Sequence, residues 1–212
     1  MGTPAEQQLQ QNIASLPPLN ELLERVRIFH EIYSAVSPYQ STSLDLDYLG
    51  QRIVRFQWKD GGGSSATVFI DIKNNRALLT GWDRDSSFNL TDTENDQTLR
   101  DLHEILPSIF PDEAAGYTNG KTHIVSSTTA IWFIDGNWHQ SAAYLEEVKN
   151  RQTDGGFTYC FSPLYGSFTL EELQAYFSDG GWEDAHDWAD PDNEQPGLMN
   201  SIIERIYNHR KN

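Results

Sequence analysis

The stretch Ala66-Thr-Val-Phe-Ile-Asp-Ile-Lys-Asn-Asn-Arg-Ala-Leu-Leu-Thr-Gly-Trp-Asp-Arg-Asp-Ser-Ser-Phe-Asn-Leu90 holds two apolar runs, Ala66 to Ile72 and Ala77 to Trp82. Between them stands Lys73-Asn74-Asn75-Arg76. β-Branched and aromatic residues dominate the first run, and Asn-Asn tolerates the positive φ of a tight turn, so the pattern predicts a β-hairpin. The second strand ends in Gly81-Trp82-Asp83-Arg84-Asp85-Ser86, a charged loop led by an aromatic ring. Loops held by a rigid sheet often carry functional groups. Asp83 and Asp85 are therefore candidate functional residues.

Upstream, Gln51 to Lys59 alternates, with Val54, Phe56 and Trp58 on one face and Ile53, Arg55, Gln57 and Lys59 on the other. That is the signature of a half-exposed strand. Gly61 to Ser65 links it to the hairpin. No Gly-Lys-Ser/Thr follows those glycines, so they are not a phosphate loop. The expectation is an antiparallel meander over 51–82, with Val54, Phe56, Val68, Ile70 and Leu78 buried.

Helical spacing of Leu22, Leu23, Val26, Phe29, Ile32, Tyr33 and Val36 predicts a helix from about Leu19, capped by Asn20 and closed by Pro38. Residues 1–18 read as an N-terminal extension or short helix, and Ser41 to Gly50 as a loop. Downstream, Thr91 or Thr93 caps a helix through Leu99, Leu102, Ile105 and Leu106 that Pro107 ends. Strands are expected near 122–139, turning at Asp135-Gly136-Asn137, and at 157–161. Further helices are expected over Tyr144 to Arg151, from Thr169 (a capping box with Glu172) and from Gly197 to His209. Helices flank the strands rather than alternating with them, which gives one α+β domain over 1–212.

The chain carries 31 acids against 15 Lys and Arg, a formal net charge of −16. Binding to phosphates or to an anionic membrane needs clustered cations, so nucleic acid and membrane are excluded as partners. A basic protein partner is favoured instead, because long-range attraction speeds encounter. The single cysteine, Cys160, lies among aromatics and reads as a small buried hydrophobe. A lone cysteine, no signal-peptide pattern at the start and no apolar run long enough to span a bilayer together suggest a cytoplasmic protein.

Charge is concentrated. No Lys or Arg occurs between Gln152 and Glu204, and acids crowd Asp179-Gly-Gly-Trp-Glu-Asp-Ala-His-Asp-Trp-Ala-Asp-Pro-Asp-Asn-Glu194. Asp179, Glu183, Asp184, Asp187 and Asp190 surround Trp182 and Trp188 there, as in an aromatic hot spot for a cationic partner. The competing reading is a solvated acidic loop. Neither this segment nor Asp83-Arg84-Asp85 has the spacing of a calcium loop, and the six histidines lack zinc-site spacing. No metal or cofactor is expected. An enzymatic alternative uses the Gly81–Ser86 loop as a small-molecule or hydrolase-type site, with Asp83 and Asp85 as an acid–base pair. Ser86 and Ser87 have no Gly-x-Ser-x-Gly elbow around them. His139 beside Trp138 ends a strand and needs no catalytic role.

The Gly81-Trp-Asp-Arg-Asp-Ser86 loop after a hairpin and the Gly136-Asn-Trp-His139 strand end resemble immunity proteins encoded beside bacterial polymorphic toxins. They also resemble uncharacterised bacterial proteins with a Gly-aromatic-Asp-x-x-Ser segment at this place. The resemblance covers roughly residues 50–140. It implies a binding protein with no catalytic residues, and a cognate toxin, often a nuclease or nucleotide-modifying enzyme with a basic cleft, as partner.

Overall fold

The hairpin forms where the sequence sets it. In the computed structural model, which describes residues 2–36, 41–48, 50, 53–60, 62–88, 127–178 and 196–211, β3 (Ser65–Asp71) and β4 (Arg76–Trp82) pair antiparallel from Ser65↔Trp82 to Asp71↔Arg76. Asn75 takes the positive φ, at 51°. The turn begins one residue earlier than the apolar pattern suggests. The buried Asp71 carboxylate accepts from the Asn74 backbone N–H (3.0 Å), the Asn74 amide (2.7 Å) and Arg76 Nε (2.9 Å). Those bonds end the strand at Asp71 and leave Ile72 in the turn, 40% exposed.

β2 (Ile53–Lys59) joins β3 in register Val54↔Ile70 through Lys59↔Ser65, which completes the expected meander. Val54, Phe56, Val68, Ile70 and Leu78 are all buried. The link between these strands is ordered by Asp60, whose Oδ1 accepts the N–H groups of Gly63 and Ser64, both at 2.9 Å. Two further strands close one side: β5 (Thr129–Ile134) and β6 (Asn137–His139) turn at Asp135 and Gly136, both with positive φ. The 122–126 part of the expected strand and the helix expected after Thr91 lie outside the described residues.

Two expected elements are corrected. Ser41 to Tyr48 is a strand, β1, and not a loop; it pairs antiparallel with β2 and gives a six-stranded sheet in the order β1-β2-β3-β4-β5-β6. Its polar Ser-Thr-Ser-Leu-Asp-Leu-Asp pattern hides it, because an edge strand buries little. Residues 157–161, expected as a strand, are a short helix instead. A five-residue apolar run has no period that separates the two. Here Asp154 decides it: its carboxylate accepts the N–H groups of Gly156 (3.0 Å) and Thr158 (2.9 Å), winding the chain into a turn. Phe157, Cys160 and Phe161, at i, i+3 and i+4, then all face the core.

The helices are α1 (Pro4–Ala14), α2 (Leu19–Val36), α3 (Ala142–Arg151), α4 (Phe157–Phe161), α5 (Leu170–Ser178) and α6 (Pro196–Lys211). α1 falls within the 1–18 extension, closed by a Thr3–Glu6 capping box, with Leu9 and Ile13 buried. α2 begins at Leu19, so Asn20 lies inside its first turn and is not the cap. The capping box before α5 forms as read: Glu172 N–H donates to Thr169 Oγ1 and Thr169 N–H to Glu172 Oε2. No described helix is long and apolar enough to cross a membrane.

The main core lies between the helices and one sheet face. Phe29 of α2 meets Phe56 edge-on at 6.0 Å and stacks on Phe177 of α5 at 5.6 Å. Ile53, which the alternation puts on a solvent face, is buried on the opposite side of the sheet with Tyr48, Phe69, Leu78, Ala130 and Trp132. Phe56→Ala should lower unfolding free energy by roughly 2–5 kcal/mol in urea titrations. A variant as stable as the parent would contradict this packing.

Candidate functional site

β4 runs out at Gly81–Trp82, and the Asp83 N–H donates to Thr128 Oγ1 at 3.0 Å, stitching the loop to the start of β5. The Asp83 carboxylate then accepts the Asp85 N–H at 3.0 Å, and Ser86 N–H reaches the Asp83 carbonyl at 3.2 Å. These are the local bonds of an Asx-type turn. Arg84 is tied back to the β2–β3 link through its N–H to Ser64 Oγ and its guanidinium to the Gly62 carbonyl. The loop is well determined by its own backbone bonding.

Three glycines let the neighbouring segment come close. A β-carbon on Gly81 would stand 2.6 Å from Cys160 Sγ. One on Gly155 would stand 2.4 Å from the Thr128 carbonyl oxygen, and one on Gly156 only 2.3 Å from Asp83 Cβ. Gly155 and Gly156 also hold φ of 66° and 90°, a region open to glycine. The Asp83 loop and the Asp154–Phe161 segment are thus in close contact.

That contact brings Asp154, from the turn before α4, to Asp83 and Asp85 of the loop, and Asp60, from the β2–β3 link that Arg84 ties to the loop, also acts on Asp83. Burial raises the Asp83 carboxyl above the usual carboxylate range; Asp85, Asp154 and Asp60 push it the same way, against the hydrogen bond from Asp85 N–H. Tyr159, 43% exposed, donates its hydroxyl to Asp60 Oδ2 at 2.7 Å. Arg84 stands beside Asp85 (3.4 Å), both side chains exposed. An exposed ring whose hydroxyl bonds a carboxylate is suited to receive a cation, by cation–π and charge–charge attraction together.

Of the residues singled out in the sequence, Asp83 and Asp85 lie in this patch. Asp179, Trp182, Glu183, Asp184, Asp187, Trp188 and Asp190 lie outside the described residues. Sequence reasoning missed Asp60, Asp154 and Tyr159, which are far from the Asp83 loop in the chain and are brought to it by tertiary contact. The signal for that contact was present in Asp154-Gly155-Gly156, where a pair of glycines permits close approach.

The other candidates have local roles. The Cys160 thiol is fully buried, and burial first, then Asp83, Asp154 and Asp60, push it up and away from the reactive thiolate. Ser86 Oγ accepts the Phe88 N–H at 3.1 Å as a turn cap. His139 stacks on Trp132 with rings 17° apart, its Nε2 3.3 Å from the Ile134 carbonyl oxygen. Among the described residues no group of three or more His, Cys, Asp or Glu side chains is placed to hold a metal ion. No family model, curated protein or solved structure matches the chain.

The direction of the Asp83 shift gives a pH dependence. A carboxyl raised in the folded state favours folding at low pH and loses that contribution as pH rises through the raised value. Asp83→Asn keeps an acceptor oxygen for the Asp85 N–H and removes the repulsion. The variant should melt above the parent at neutral pH, with the gain fading as pH falls below the carboxylate range. A lower melting temperature at neutral pH would show that the charge itself stabilises the loop.

Proposed function

We propose that this protein is an acidic immunity protein that binds a cognate bacterial toxin and neutralises it by covering the toxin's basic active-site region. The observation that carries the reading is the electrostatic grouping of Asp85, Asp154 and Asp60 about Asp83, with the exposed Tyr159 bonded to Asp60. The Asp83 carboxyl is raised first by burial and then by the neighbouring acids, with Arg84 standing beside Asp85. The formal charge of −16 and the acid-and-tryptophan segment 179–194 supply the same sign to a partner's approach. In this reading the complex forms in the cytoplasm, with a basic protein and without nucleic acid or membrane.

A second reading makes the Gly81–Ser86 loop a small-molecule or hydrolase-type site. What favours it is that Asp83 and its neighbour Asp85 differ in environment, the half-buried one pushed up and the other exposed, as an acid–base pair requires. It leaves Asp60, Asp154 and Tyr159 without a role, and it ranks second for that reason.

Co-expression with toxin candidates encoded beside this gene, followed by co-purification and protection of cells, tests the first reading. Asp85→Lys should slow association and weaken its salt dependence, because steering acts through the summed field. The triple change Glu183→Lys, Asp184→Lys and Asp187→Lys should do the same if segment 179–194 takes part. Tyr159→Ala should act on dissociation instead, at a cost on the order of 2 kcal/mol for a buried anchor. Full protection by all three variants at unchanged rates would remove the patch and the segment as the interface. Turnover of a small substrate lost on Asp83→Asn would establish the second reading.

A further inference from the structure

We propose that Asn12 of α1 is a positioning residue for the acidic patch, holding the Asp154 carboxylate in place through the Thr158 hydroxyl. Its role rests on the reading of that patch as the surface that meets a basic partner. Asn12 Nδ2 donates to Thr158 Oγ1 at 2.9 Å, and Thr158 Oγ1 donates to Asp154 Oδ2 at 2.5 Å. Gln8 Nε2 donates to Asn12 Oδ1, also at 2.9 Å, so both the nitrogen and the oxygen of the Asn12 amide are bonded. A chain of polar contacts therefore runs from α1 to the acid that precedes α4.

The direction of these bonds follows from what each group can do. An amide nitrogen only donates and a carboxylate only accepts, whereas a hydroxyl has one proton and two lone pairs. The Asn12 donor thus sends the single Thr158 proton to Asp154. Tyr165, whose side chain also bonds Thr158, can add a second donor to the same oxygen. With the Thr158 hydroxyl and N–H on Oδ2 and the Gly156 N–H on Oδ1, the carboxylate takes three donors from its own turn. A carboxylate has about four acceptor directions. The one left, on Oδ1, is where a partner's cation would meet it.

Stability alone does not require an amide at position 12. Asn12 is 7% exposed, on the face of α1 that buries Leu9 and Ile13, and a buried amide costs free energy until its groups are bonded. Gln8 and Thr158 are both exposed and can bond water instead. An apolar side chain of similar shape would therefore fold about as well. What it would lose is the fixed direction of the Thr158 proton, which would be free to leave Asp154. Successive hydrogen bonds also polarise one another, so the Asn12 amide strengthens the bond that Asp154 receives.

Three-bond couplings at the Asp154 side chain, measured by NMR on the full chain, test the role of Asn12 without any partner. Asp154 should hold one χ1 rotamer in the parent and spread over several in Asn12→Leu and in Thr158→Val. Thr158→Ser, which keeps the hydroxyl, should retain the single rotamer. Position 158 is exposed, so Thr158→Val tests the same bond should Asn12→Leu fail to fold. A short peptide of alternating Arg and Gly supplies the second measurement. Each of the two variants should weaken its binding roughly three- to tenfold, the worth of one hydrogen bond, and the double variant no further than either single. A single Asp154 rotamer in both variants, or additive losses of affinity in the double variant, would overturn the proposal. Peptide binding that is absent from the parent, or unchanged in Asp85→Lys and Asp154→Asn, would overturn the reading of the patch and the role of Asn12 with it, whatever the rotamers show.

Discussion

The chain packs to its steric limit at Gly81, Gly155 and Gly156, and the arrangement of the acidic patch depends on that contact. At each of the three positions a β-carbon would fall within 2.6 Å of a neighbouring atom. No side chain can stand there without moving α4 away from β4. With α4 in place, Trp58 Nε1 donates to the Cys160 carbonyl at 3.2 Å, and Tyr144 bridges Thr129 Oγ1 and the Asp154 carbonyl. These bonds join β2, β5 and α3 to the segment that carries Asp154. The acids are neighbours because the backbone beneath them leaves no room to separate.

A second fixed point holds the far side of that segment. Arg25 of α2 is buried, yet its guanidinium donates to the carbonyls of Leu164 (3.1 Å) and Gly166 (2.9 Å), pairs with Glu21 at 2.6 Å and lies over the Phe168 ring. A buried cation is costly without partners, and this one directs its donors at carbonyls of an irregular segment. Phe168 sits at φ 54°, with its carbonyl accepting from Tyr207 of α6. Chain reversal after α4 is thus determined by α2 and α6 from outside. The turn that leads into the patch and the turn that leaves it are both clamped.

How much of this was legible follows from what each residue needs. The β3–β4 hairpin and the Thr169–Glu172 box are local: neighbours a few residues apart contain the whole instruction, and the structure repeats it. β1 was illegible because its stability comes from pairing with β2 and from α2, leaving its own side chains polar. The helix at 157–161 was illegible because its start depends on Asp154 accepting two backbone N–H groups, a bond that composition does not display. Asp83 and Asp85 could be singled out as a charged loop after a strand. Asp60, Asp154 and Tyr159 could not, since only tertiary contact makes them neighbours of that loop. Ile53 shows the converse: alternation assigned it to solvent, but the sheet buries residues on both faces at its centre.

The acids of the patch also hold turns together, and this raises the question of what their charge is for. Asp60 accepts from Gly63 and Ser64, Asp154 from Gly156 and Thr158, Asp83 from Asp85. Each of those bonds needs an acceptor oxygen, which asparagine or serine also provides in turns of this kind. A charged acceptor makes a somewhat stronger bond, but three such groups beside Asp85 repel one another, and this adds to burial in pushing the Asp83 carboxyl up. Asp71 makes the contrast: the Asn74 hydrogen bonds, and after them Arg76 standing against it, outweigh its burial and hold its carboxyl low. There the fold uses the charge and supplies its partner. At the patch Arg84 stands close, but its guanidinium is shared between Asp85 and the Gly62 carbonyl. The hydrogen bonds explain why these positions are polar but not why they are charged, and that is the point the proposed basic partner addresses.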